Sequence, residues 1–136
     1  MKITSALRGI ALFLFVVVLF TSCEKEEGEG GTGTIEGRVY ALNYNSDFSI
    51  KLGEYYAPDV DVFIIYGNDS IHSDKTETSY NGWYRFQYLN KGTYTLYVLS
   101  NDPERISASG KIVIQQTINI SDNNSTVIAD DLVIYE

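Results

Sequence analysis

The chain has 136 residues, enough for one domain of ordinary size. Eighteen acidic against ten basic side chains leave a net charge of −8, which excludes nucleic acid as a natural partner, since cations supply most of that affinity. One Cys and one His exclude an internal disulfide framework and a zinc site built from those two residue types alone.

The first 22 residues read as an address. Lys2 and Arg8 precede an unbroken apolar run, Ile10 to Phe20. That run is too short for a membrane span of about 20 residues, and small residues Thr21 and Ser22 follow it, the order of a signal peptide. Removing this segment takes two of the ten bases and none of the 18 acids, so the net charge moves to −10. Cys23 stands where cleavage is expected. Leu19-Phe20-Thr21-Ser22-Cys23 resembles the lipobox of bacterial lipoproteins, with Phe20 in place of the usual Leu. The resemblance implies that the Cys23 thiol is diacylated, and two acyl chains anchor a protein stably to a membrane.

Residues 23–33 are rich in Glu and Gly and read as a flexible tether. Within it, Lys25-Glu26-Glu27 resembles the lipoprotein export signal of Bacteroidetes. That implies an outer-membrane protein presented on the cell surface.

Residues 34–136 read as short strands. Thr34–Leu42 places Ile35, Gly37, Val39 and Ala41 on one face and Glu36 and Arg38 on the other. Residues 43–54 form a polar loop in which Phe48, Ile50 and Leu52 allow a short extra strand. Asp59–Tyr66 and Asp74–Ser79 flank the turn Gly67-Asn68-Asp69-Ser70. Trp83–Tyr88 and Thr93–Ser100 read as a hairpin joined by Leu89-Asn90-Lys91-Gly92. Its register buries Tyr84, Phe86, Tyr94 and Leu96, and sets Trp83 opposite Tyr97 on the outside beside Arg85. Lys111–Ile120 is interrupted by Gln115-Gln116, predicting a bulge or bend, and Val127–Tyr135 closes the chain. Seven strands with turns between them predict an all-β, seven-stranded antiparallel Greek-key sandwich.

The pattern Gly37-Arg38-Val39, Ala57-Pro58 with Val60 and Val62, and then Thr76, Thr78, Gly82, Tyr84, Phe86, Leu89, Gly92, Tyr94, Leu96 and Val98 resembles the carboxypeptidase regulatory-like family. Transthyretin-like and Cna-B-like sandwiches share it more loosely. The resemblance implies a Greek-key sandwich without catalytic residues. In Cna-B-like domains a first-strand Lys forms an isopeptide bond; Arg38 stands on that strand here, and a guanidinium is a poor nucleophile.

Chemistry-bearing clusters are few. His72 lies among Ser70, Ser73 and Asp74, but neighbours in one turn rarely converge as a triad. Asp59 with Asp61, and Asp130 with Asp131, read as polar surface rather than as acids or calcium ligands. No motif for a cofactor or a metal is present. Asp69-Ser70-Ile71 resembles the Bacteroidetes O-glycosylation tripeptide, which marks Ser70. Trp83, Arg85 and Tyr97 are the expected ligand patch, because outward aromatics stack on sugars or anchor proteins. The expected function is a non-catalytic surface lipoprotein that recognises a glycan or an outer-membrane protein. A ligand-free spacer domain is the alternative, and a small hydrolase is a distant third.

Overall fold

A computed structural model describes residues 25–136; Cys23 and the signal segment lie outside the described residues. The described residues form nine strands and no helix. These are β1 (Glu29–Tyr44), β2 (Lys51–Tyr56), β3 (Asp61–Tyr66), β4 (Asp74–Glu77), β5 (Trp83–Leu89), β6 (Gly92–Asn101), β7 (Lys111–Ile120), β8 (Thr126–Ile128) and β9 (Leu132–Tyr135).

They make two sheets. One gathers β2, β5, β8 and β9 around β1; the other runs β4-β3-β6-β7. The period-2 alternation of each strand turns one set of side chains inward. Ile35 and Val39 of β1 and Tyr84 and Phe86 of β5 meet Val62, Ile64, Tyr94, Leu96 and Val98 of the second sheet in a shared buried core. Each of these stabilises the fold by about 1.5–3 kcal/mol when fully buried. The Thr-x-Thr pattern has a physical role at its second residue. The buried Thr78 hydroxyl donates to Ala57 O at 2.7 Å and accepts from Val60 N at 2.9 Å, which fixes the entry into β3.

β1 is long enough to be paired twice along its length. Ile35–Arg38 pair antiparallel with β5, and Tyr40–Tyr44 with β2. The change of partner falls at Val39, whose N–H donates to Gly82 O and whose C=O accepts from Ala57 N.

Several sequence expectations need correction. The sandwich is there, but with nine strands rather than seven. It is not purely antiparallel: β8 and β9 both run parallel to β1, and Ala129-Asp130-Asp131 separates them where one strand was expected. β7 is continuous and keeps one register with β6 from Lys111 to Ile120. Gln116 does not bend it, because its amide reaches sideways to Asp130 O at 2.8 Å.

The β5–β6 hairpin does not form. β5 pairs with β1, while β6 pairs with β3 and β7 in the other sheet. Alternation specifies which side chains face inward and is silent on which strand lies alongside. Both arrangements bury Tyr84, Phe86, Tyr94 and Leu96.

The domain also begins earlier than residue 34. Gly28 is buried, its N–H donates to Tyr94 Oη at 3.0 Å, and its C=O accepts from Asn90 N at 2.8 Å. The Asn90 amide donates to the carbonyls of Glu26 and Glu29. Residues 26–33 are therefore a strap fastened across the β5–β6 connection rather than a free tether. They carry little apolar surface to bury, but the strap's backbone groups find partners there.

Candidate ligand-binding face

The outer face of the β1 sheet carries a row of rings around one cation. Even-numbered β1 residues point outward, and cross-strand pairing sets Arg38 beside Trp83, Glu36 beside Arg85 and Tyr40 beside Tyr56. The Arg38 guanidinium lies 4.2 Å from the Trp83 ring centroid and 4.5 Å from that of Tyr56. Tyr40 meets Tyr56 edge-on at 5.1 Å. Gly82 makes this crowding possible. Its φ is +78°, and a Cβ there would lie 2.8 Å from Tyr56 Cβ and 2.9 Å from Val39 O.

The charges on this face are matched, with one exception. Arg85 pairs with Glu36 at 2.5 Å, and Lys51 with Glu54 at 2.6 Å. The Lys51 ammonium holds the Glu54 carboxyl below its ordinary range. Arg38 has no carboxylate within ion-pair distance among the described residues, and its Nε is buried without a hydrogen-bond partner. A cleft of about 430 Å³ opens beside Trp83, lined by Glu36, Arg85, Thr76 and Glu77, where β4 meets β5. Beneath it, the inward Tyr84 phenol is buried without a well-formed hydrogen bond. Burial pushes that phenol up, partly offset by the nearby Gln116 amide.

The outer face of the other sheet carries a different cluster. Tyr97 stacks on Phe63 with ring centroids 4.8 Å apart, and His72 meets Phe63 edge-on at 5.0 Å. Tyr97 Oη lies 3.4 Å from His72 Nδ1, and the cation on this face nearest the rings, Lys75, pairs with Asp61 at 3.0 Å.

The structure therefore separates the expected patch. Trp83 and Arg85 stand together, but Tyr97 is on the opposite face, because β5 and β6 belong to different sheets. The place beside Trp83 is taken by Arg38, and Tyr56 and then Tyr40 continue the row beyond it. Arg38 was readable as outward from the β1 alternation. Nothing in the sequence placed Tyr56, on β2, next to Trp83.

Other candidates resolve individually. Ser70 is exposed in the β3–β4 turn and reachable by a modifying enzyme. Ser73 Oγ accepts from Tyr66 N and donates to Asp69 rather than to His72. Asp59 lies in the turn before β3 with φ +56°, and Asp61 is engaged by Lys75. Among the described residues no three metal-ligating side chains cluster. Lys25 is exposed with its ammonium 3.5 Å from Gly30 O, Glu26 is held through its carbonyl, and the Glu27 carboxylate accepts from Thr93 N at 3.4 Å.

No protein-family model matches the chain, so the regulatory-like resemblance rests on its residue pattern. No curated protein matches it either. Among solved structures, the chain is similar to that of a candidate carbohydrate-binding protein from Pseudomonas aeruginosa. The identity is 15% over 76% of this chain and 90% of that one, with a TM-score of 0.47.

Proposed function

We propose that this chain is a non-catalytic envelope lipoprotein that binds a glycan on the outer face of its β1 sheet. The observation that carries the glycan reading is the Trp83–Arg38–Tyr56–Tyr40 row, rings held on paired strands beside an open cleft. Sugar rings present apolar C–H faces that stack on aromatic side chains, and their hydroxyls need nearby polar groups. Glu36, Arg85 and Thr76 supply those at the cleft. The anchor is Cys23, acylated at the lipobox-like segment, with Lys25-Glu26-Glu27 directing export to the outer-membrane surface.

Trp83 is the chain's sole tryptophan, so its fluorescence reports on this face directly. Titration of the full chain with a panel of oligosaccharides should quench or shift that emission saturably for at least one member. A panel without any response, at ligand concentrations reaching the millimolar range, would leave the spacer reading instead. The anchor has its own test. Cys23→Ala in the native host should abolish acyl labelling and membrane retention, and retention of the unlabelled variant would sink the anchor. Surface display requires that protease added to intact cells removes the domain.

A further inference from the structure

We infer that Arg38 makes this face selective for an acidic sugar, the carboxylate of a hexuronic acid seated against the guanidinium. The inference rests on the glycan reading above and deepens it. Three cations stand on this face, and two of them, Lys51 and Arg85, already hold a carboxylate within 2.6 Å. Arg38 holds none among the described residues, in a chain with nearly twice as many acids as bases.

A guanidinium offers five donors in a planar fork that matches a carboxylate, and stacking on a ring uses its face while leaving its edge free. The Trp83 and Tyr56 rings pack on the Arg38 guanidinium at 4.2 and 4.5 Å, and with Nε buried it is the two terminal nitrogens that remain to meet a ligand. The two rings keep the fork from collapsing onto Glu36 or Glu54, so its orientation is set before a ligand arrives. The rings that orient the cation are also the surface on which a pyranose stacks. A uronic acid presents both features at once, an apolar ring face and a carboxylate at its rim.

The net charge of −8 sharpens the point. The field of the whole chain repels anions. A preference for an acidic sugar must then come from the local site and not from general attraction. Replacing the Arg38 guanidinium by a neutral group deprives the sugar carboxylate of a charge-assisted hydrogen bond, which is expected to change affinity by about tenfold or more.

The test compares three probes of equal length on the full chain by Trp83 fluorescence: a tetragalacturonate, its methyl ester and a neutral galactose tetramer. The acid should bind about tenfold more tightly than the neutral tetramer, and esterification should erase the advantage. Arg38→Gln should bring the ratio of acid to neutral dissociation constants to within about twofold of one. If wild type binds the neutral tetramer as tightly as the acid, the inference is overturned and the glycan reading survives. If the ratio is unchanged in Arg38→Gln, the selectivity belongs elsewhere and the inference fails again. If none of the probes moves the emission, the site does not take acidic sugars; the wider panel then decides separately whether it takes any glycan. The methyl-ester comparison needs no variant, so it can overturn the inference even if Arg38→Gln does not fold; Arg38→Lys, which keeps the charge and loses the planar fork, then tests whether the selectivity belongs to this residue, and an unchanged ratio there overturns it.

Discussion

The two outer faces of the sandwich each carry three or more rings and a cation, yet they are organised differently. On the β4-β3-β6-β7 face, Phe63, Tyr97 and His72 satisfy one another by stacking and a long polar contact, and Lys75 is paired. On the β1 face, the rings converge on a cation without an acid. One cluster is closed on itself, and the other leaves a valence open. Aromatic count therefore does not separate a self-satisfied cluster from one with a free polar edge. What separates them is whether the polar groups inside the cluster already have partners.

The largest effect expected is structural and falls on the closed face. Phe63→Ala removes the ring on which both Tyr97 and His72 rest. Complete truncation of a core Phe costs about 3–5 kcal/mol, and a half-buried one should lie near 2–3 kcal/mol. Denaturant unfolding measures it, and glycan affinity should change less than twofold. A binding loss without a stability loss would reverse the roles assigned to the two faces.

Next comes Trp83→Ala, the converse experiment. As the ring of the open cluster that lines the cleft, its loss should weaken glycan binding by about 2 kcal/mol or more, in the manner of an interface hot spot, read by calorimetry since the fluorophore is gone. Its stability cost should be smaller than that of Phe63→Ala, because on the outer face Trp83 is braced by the Arg38 side chain, whereas Phe63 carries two rings. Equal losses from both variants would erase the distinction. A smaller change is expected for Tyr97→Phe, which removes only the oxygen facing His72. A net hydrogen bond of that kind is worth about 0.5–1.5 kcal/mol, and the long, partly exposed geometry places it at or below the lower limit.

The same contrast marks what the sequence could disclose. Its alternation identified the inner face correctly: Tyr84, Phe86, Tyr94, Leu96 and Val98 are all buried. It identified Trp83 and Tyr97 as outward for the same reason. It could not bring the right outward residues together, because neighbours on a sheet are set by strand pairing, and pairing here is set at a distance. The strap from Glu26 to Gly33 engages Leu89 and Asn90, and the chain leaves β5 for the other sheet. The strap itself was illegible as structure. Its stability comes from backbone groups of Gly28 meeting Tyr94 and Asn90, and a glycine-rich stretch shows no side-chain pattern from which that can be read. Tyr56 was hidden similarly: the segment before it reads as loop, and only pairing with Tyr40 places it beside Arg38.

The smallest expected effect tests the claim of an open valence most directly. Glu54 is depressed by the Lys51 hydrogen bond, with Tyr40 adding to it. A carboxyl lowered in the fold contributes stability that is complete above its ordinary value of 4.5 and is lost as pH falls through the lower, folded midpoint. An NMR titration of the Glu54 side chain should place the midpoint below 4.5. Lys51→Met should return it upward. Arg38→Gln should leave it where it is, because Arg38 makes no ion pair with Glu54. An upward move in Arg38→Gln would mean that the guanidinium already leans on Glu54 in solution. The β1 face would then be closed like the other, and its cation would have no free edge to offer a ligand.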